Sequence, residues 1–366
     1  MVFQSLADAR DYVLSNDEDY FITDEIIRGV SFKVFKNGPK LIPDILNLCL
    51  NHKEKDFLVF DKERYSFGEF HQLTCQIAHL LMDEYSIRPG DRVAILMKNS
   101  PEFPLIFMAL SSIGAVAVCL NSWWTSDELK YGFMDSKVKL VFTDEQRLAK
   151  IKGFVSEMGV QTVLCRHQNS DKSDEFWNSL LTSKNNELPR TTIDQDSDFA
   201  VMYTSGSTGH PKGVVMTHRG AISTLMSWHF GLRVLDVMGL GPVPYVDKNN
   251  QPYQPCQLVS VPFFHVSGTH GGLLLALWSG TKLVIMKKWD PPEAVRLIEL
   301  EKVSRFGGVP TMAAEILGEA KKVGAKLESI RLIDTGGAAR PADQAREMAE
   351  SIPNVLTGTS YGMTET

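Results

Sequence analysis

The stretch Tyr203-Thr-Ser-Gly-Ser-Thr-Gly-His-Pro-Lys-Gly-Val-Val215 concentrates the side chains best able to do chemistry. Gly206 and Gly209 let backbone amides turn inward, Thr204, Ser205, Ser207 and Thr208 supply hydroxyl donors, and Lys212 adds a positive charge. Converging N–H groups make an anion nest, so such a bend can wrap a polyphosphate. It is not the ordinary nucleoside-triphosphate loop, because Gly206 is followed by Gly209 and Lys212 precedes Gly213, which breaks the G-x-x-x-x-G-K-[ST] spacing. A flexible Gly/Ser linker is the plain alternative. A linker would not sit directly between the apolar runs Phe199–Tyr203 and Val214–Met216, nor carry a Pro-Lys-Gly brace. Phosphate binding is the better reading.

A different chemistry is suggested by Gly358-Thr-Ser-Tyr-Gly362, which matches the G-x-S-x-G nucleophile elbow of α/β-hydrolases with Ser360 as nucleophile. That fold places its acid and its histidine after the serine. Six residues follow Ser360 and none is histidine, so the hydrolase reading fails.

Composition narrows the class further. The chain has 366 residues with 43% apolar and 22% charged side chains and a net charge of −6. These are globular values, and the length suggests two to three domains. An acidic balance lacks the footprint of a nucleic-acid binder. Cys49, Cys75, Cys119, Cys165 and Cys256 form no C-x-x-C pair, which fits neither a disulfide framework nor a zinc site. Small buried hydrophobes in a reducing, cytoplasmic setting explain them better. From Phe103 to Ser126 no side chain is charged, which is long enough to span a bilayer. Pro104, Ser111, Ser112 and Gly114 interrupt it, so a buried helix over 102–113, a turn at Gly114 and a core strand are expected instead. A membrane span is rejected, and peripheral membrane contact stays open.

The elements that would position the loop alternate between short apolar runs and helical patterns, the rhythm of an α/β protein. Strands are expected at Asp91–Met97, Leu140–Phe142, Thr162–Cys165, Phe199–Tyr203, Gln257–Val261, Lys282–Met286 and Ile330–Ile333. Phe57–Phe60 reads as a strand of a neighbouring sheet. Ser126 reads as the cap of a helix. The polar stretch between Gln168 and Ser197 suggests a domain boundary or long surface loop. Gly239–Pro255, with four prolines, reads as an irregular insertion.

The glycine-rich string resembles the signature of AMP-forming acyl-CoA synthetases, within the adenylate-forming superfamily. Three further segments follow in the matching order: Val261-Pro-Phe-Phe-His-Val-Ser-Gly268, Asp334-Thr-Gly-Gly-Ala338 and Thr359-Ser-Tyr-Gly-Met-Thr-Glu365. The likeness covers the chain from about Leu41 onward. It implies that Thr204, Ser205, Gly206, Ser207, Thr208, Gly209 and Lys212 clasp the β- and γ-phosphates of ATP. Tyr361 would stack on adenine, with Gly336, Gly337, Ala338, Thr359, Ser360, Gly362 and Met363 lining the nucleotide and acyl pocket. Thr364 would donate to the α-phosphate, Glu365 would hold Mg²⁺, and His265 would border the carboxylate and acyl pocket. Taken alone, Glu365 would be a solvated carboxylate, and a core histidine bonded to a backbone carbonyl is the alternative for His265. Trp123, Trp124 and Trp228 read as packing residues before tunnel residues.

The resemblance implies an α/β fold of two packed subdomains, with 1–56 as a lead-in, 57–190 as the first and 191–366 as the second. The nucleotide would lie in the crevice between them. The implied activity is that of an acid–CoA ligase taking a carboxylic acid, ATP and CoA, a fatty acid first and an aromatic or amino acid second. Two departures stand out. Ser360 occupies a usual glycine position and would set a hydroxyl beside the adenine, and Ala339 occupies a frequent proline position. The family's downstream aspartate, hinge and lysine-bearing mobile domain have no match here. The expectation is therefore a large N-terminal part, weak or inactive alone, with a non-catalytic nucleotide- or acyl-binding module as the alternative.

Overall fold

The structure, a computed structural model, describes residues 3–167, 172–182, 185–205 and 209–365. Its first elements are a helix, Leu6–Asn16, and an antiparallel hairpin of β1 (Ile22–Ile27) and β2 (Val30–Phe35). Ala9 and Val13 of that helix pack on Val234 of the long helix His218–Val237. Two larger sheets follow. β3 (Asp56–Phe60) and β4 (Glu63–Ser66) come before the first of them in the chain yet belong to the second.

The six-stranded sheet is built from β5 (Arg92–Leu96), β6 (Val116–Cys119), β7 (Leu140–Asp144), β8 (Gln161–Arg166), β9 (Asp198–Thr204) and β10 (Lys212–Thr217). Its order is β10-β9-β6-β5-β7-β8, parallel except for β10 at the edge. The seven-stranded sheet adds β11 (Cys256–Val259), β12 (Lys282–Ile285), β13 (Arg305–Gly308), β14 (Leu332–Thr335) and β15 (Leu356–Thr359). Its order is β15-β14-β13-β11-β12-β3-β4, parallel except for β4. Buried parallel strands need apolar side chains on both faces, which is why β5, β6 and β7 read as unbroken apolar runs.

The division at 190/191 does not coincide with the sheets. β9 and β10, with the bend between them, complete the first sheet, whereas β3 and β4 close the second. The physical reason is strand pairing: β9 finds its parallel partner in β6, not in the strands that follow it. The polar stretch before it also carries a helix, Asp174–Thr182, with Phe176 and Leu180 buried.

The uncharged segment folds as its interruptions suggest. Helix Glu102–Ser112 is buried along its whole length, Gly114 turns with φ +73°, and β6 follows. Among the described residues no helix is long and apolar enough to cross a membrane. The next helix is capped by Thr125 rather than Ser126, through reciprocal bonds with Glu128. All five cysteines are free and buried.

A buried charge network ties the two sheets. Arg166, at the end of β8, donates to Glu102 at 3.0 Å and to Glu63 of β4 at 2.7 Å, and Trp177 donates to Glu102 at 3.2 Å. Glu102 is fully buried, so removing its cation would strand a carboxylate away from water. Arg166→Met should therefore destabilise the fold by about 3–5 kcal/mol in urea unfolding. A loss below roughly 1 kcal/mol would show that the network is not structural.

Candidate functional site

Strand pairing frames the glycine-rich bend. Lys212 lies in register with Thr204, so the chain from Ser205 to Pro211 must reverse between β9 and β10. Gly206, Ser207 and Thr208 lie outside the described residues. Gly209 has φ +97°, a conformation that favours glycine. The descending limb is braced where His210 stacks on Tyr131 at 4.7 Å. The base is braced where Tyr203 donates to Asp135 at 2.6 Å and meets Trp124 edge-on at 5.3 Å. Gly213 permits this, since a Cβ there would lie 3.0 Å from Val201 and 3.4 Å from the Tyr203 ring. Thr204 is half-buried, while Ser205 and Lys212 face solvent. The structure thus presents a cation and hydroxyls at the ends of the paired strands β9 and β10.

The second group stands at the ends of β14 and β15. Asp334 pairs with Gly358 and Thr335 with Thr359, so Gly336–Ala338 and Ser360–Glu365 emerge side by side. Gly336 donates to the Gly308 carbonyl and Ser360 to the Thr335 carbonyl, each at 3.0 Å. A Cβ on Gly336 would come within 2.8 Å of the Ser360 hydroxyl, and Gly337 turns with φ +75°. Ser360 Oγ donates to Asp334 at 3.0 Å, which turns the hydroxyl toward the sheet. Burial pushes the Asp334 carboxyl up, while Ser360 and Arg340 pull it back. Arg340 itself donates to the Gly358 carbonyl at 2.9 Å.

Tyr361 is 94% exposed, an open face for a planar ring. Thr359, Gly362, Met363 and Glu365 are also exposed, and Thr364 is half-buried. Among the described residues no group of three His, Cys, Asp or Glu could cage a metal. Magnesium needs no such cage, since one or two carboxylates with phosphate oxygens and water suffice. Glu365 meets that protein-side requirement.

His265 follows β11 in a tight turn. Its carbonyl accepts from Gly268 and Thr269 at 2.9 and 3.1 Å, and a Cβ on Gly268 would meet the Pro262 oxygen at 2.3 Å. The half-buried ring lies 4.5 Å from that of Phe264, and burial lowers its pKa. Among the described residues no hydrogen bond reaches the ring, so the carbonyl-bonded core histidine is not what the structure shows.

Two contacts join the sheets at their carboxyl edges. Asn99, just past β5, donates to the Val261 carbonyl at 3.0 Å and accepts from Phe263 N–H at 2.9 Å. Trp123, just past β6, meets Phe264 edge-on at 5.3 Å. Ligands of open α/β sheets favour such strand ends. Trp124 is buried, but Trp123 and Trp228 are 64% and 40% exposed, so packing explains only the first. Asn99, Arg340 and Tyr131 escaped the sequence reading. Only Asn99 left a signal, the polar break Lys98-Asn-Ser100 directly after an apolar strand.

A profile of the AMP-binding enzyme family matches residues 48–366. The 4-coumarate–CoA ligase CCL1 of Humulus lupulus is 32% identical over 78% of this chain and 50% of its own length. The N-terminal domain of FACL13 from Mycobacterium tuberculosis superposes with TM-score 0.75 at 24% identity, covering 89% of this chain and 77% of that one. A fatty acyl CoA synthetase from the same organism gives TM-score 0.74 at 25% identity, over 89% of this chain and 60% of that one. The chain belongs to the AMP-binding enzyme family, and its α/β fold is that of the family's large N-terminal part. It spans about half the length of the curated relatives it matches.

The Asn99 clamp lies in a buried position, so water cannot readily replace its two bonds. Asn99→Ala should lower unfolding free energy by about 2–4 kcal/mol in urea titration, the cost of two unmade bonds. A loss under about 0.5 kcal/mol would mean that the sheets do not depend on the clamp.

Proposed function

We propose that this chain is the nucleotide- and acid-binding part of an AMP-forming acid–CoA ligase. The observation that supports the reading is that the motif segments leave strand ends of two sheets that Asn99 ties together: β9–β10 carries hydroxyls and Lys212, while β14 and β15 carry Gly336–Ala338 and Tyr361–Glu365. In this reading the bend ahead of Lys212 holds the β- and γ-phosphates of ATP, and Tyr361 stacks on adenine. Thr364 donates to the α-phosphate. The acid lies beside His265, which burial keeps neutral near pH 7.

One acid oxygen forms a bond to the α-phosphorus as the bond to pyrophosphate breaks, giving acyl-AMP. The CoA thiol then bonds to the acyl carbon, AMP leaves, and the thiol proton passes to solvent. Positioning the carboxylate in line supplies much of the rate, because little covalent work falls to the protein. Donors preset for charge developing on phosphate oxygens supply more. Magnesium, held through Glu365, would neutralise part of the phosphate charge.

The acid has an apolar body. A fatty acid is the first reading, supported by the apolar residues Val261, Phe264 and Val309 around the strand ends. An aromatic acid is the second, favoured by the name of the Humulus lupulus relative. A reducing, cytoplasmic setting is part of the proposal and agrees with five free, buried cysteines.

The test is mass spectrometry of the full-length gene product given MgATP, CoA and a panel of carboxylic acids. Acid-dependent AMP and acyl-CoA are expected, with Lys212→Ala slowing their formation by roughly a hundredfold. Bound MgATP without product from any acid would contradict the ligase reading and favour a binding module.

A further inference from the structure

Arginines that folding draws away from water normally keep their carboxylates. Arg64 holds Asp56 and Glu301, Arg166 holds Glu63 and Glu102, and Arg219 holds Asp196 and Glu25. Arg305 breaks the pattern. It opens β13 in a half-buried position, and among the described residues its guanidinium makes no hydrogen bond or ion pair. Burial lowers its pKa, and no acid pulls it back. A desolvated, unpaired cation costs stability, which a fold tolerates where a ligand supplies the missing charge.

Its surroundings are those of a binding site. Strand alternation puts Arg305 and Gly307 on one face of β13, with Phe306 on the other against Trp289. Gln257 of β11 and Leu332 of β14 flank Arg305 in register. Toward the carboxyl edge, Gly307 leaves the face bare. A Cβ there would meet nothing nearer than the Gln257 amide nitrogen at 3.8 Å. A second polar group without a partner stands close by. His229 follows Ile222, Leu225 and Met226 on the inward stripe of helix His218–Val237, its ring tilted against that of Trp278 at 4.2 Å. Its Nε2 is buried without a hydrogen-bond partner. Burial first, and the charge of Arg305 second, push its pKa down to about 4, so the ring is neutral near pH 7.

We propose that the acid activated by this protein carries a second anionic group, received by Arg305 of β13 and His229 of the long helix. This rests on the ligase reading and names its substrate class. A carboxylate suits the site because the guanidinium fork takes both oxygens, and a neutral imidazole can add one N–H. A monocarboxylic chain of the same length would leave both groups unpaired.

The test is calorimetry of the chain with hexanedioate, octanedioate and decanedioate, each paired with the monocarboxylate of the same length, for wild type, Arg305→Leu and Arg305→Lys, with a separate MgATP titration. Wild type should bind at least one dicarboxylate roughly tenfold or more tightly than its monocarboxylate. Arg305→Leu should erase that preference, and Arg305→Lys should keep part of it. The urea midpoint of Arg305→Leu should not fall, because no partner is stranded. Equal affinity within every pair, a preference that survives in Arg305→Leu, or a lowered midpoint in that variant would overturn the proposal. Diacid preference without MgATP binding would support the anion site while sinking the ligase reading.

Discussion

Asn99 donates to one residue of the loop after β11 and accepts from another, and through that amide the carboxyl edges of two sheets face a common crevice. An amide side chain can do this because it offers a donor and an acceptor in one plane. The Glu63–Arg166–Glu102 network joins the same sheets through β4, β8 and the buried helix between β5 and β6. The two junctions leave the sheets little freedom to slide, which is what a site assembled from separate strand ends demands.

Within that frame, small residues stand where backbones approach closely. Gly268 sits against the Pro262 carbonyl, Gly336 against Ser360 and Gly358 against Asp334. Each removes a side chain that would push a site segment away from its neighbour. The Asp334–Ser360 bond turns the serine hydroxyl toward the sheet. The unpaired guanidinium of Arg305 is the opposite case, a cost that the rigid scaffold around it sustains.

The apolar strands were legible because burial on both faces leaves unbroken runs, and β5, β6, β7, β9 and β12 could be read so. The motif residues were legible by type and order, and of the described ones Thr204 ends β9 while Gly336–Ala338 follow β14. Sheet membership was not legible. Nothing local to Asp198–Thr204 states that its partner is Val116–Cys119, because pairing is decided by packing at long sequence separation. β1 and β2 were missed because their side chains are largely exposed and mixed. Asn99 was missed for a related reason: its partners lie more than 160 residues away.

The central claim is that segments from both sheets close on one nucleotide. Hydrogen–deuterium exchange of the chain, with and without MgATP, tests it directly. The account predicts joint protection of peptides covering Tyr203–Val215 and Gly336–Glu365 at the same nucleotide concentration. Protection of one segment alone, with the other exchanging as in the free protein, would contradict it.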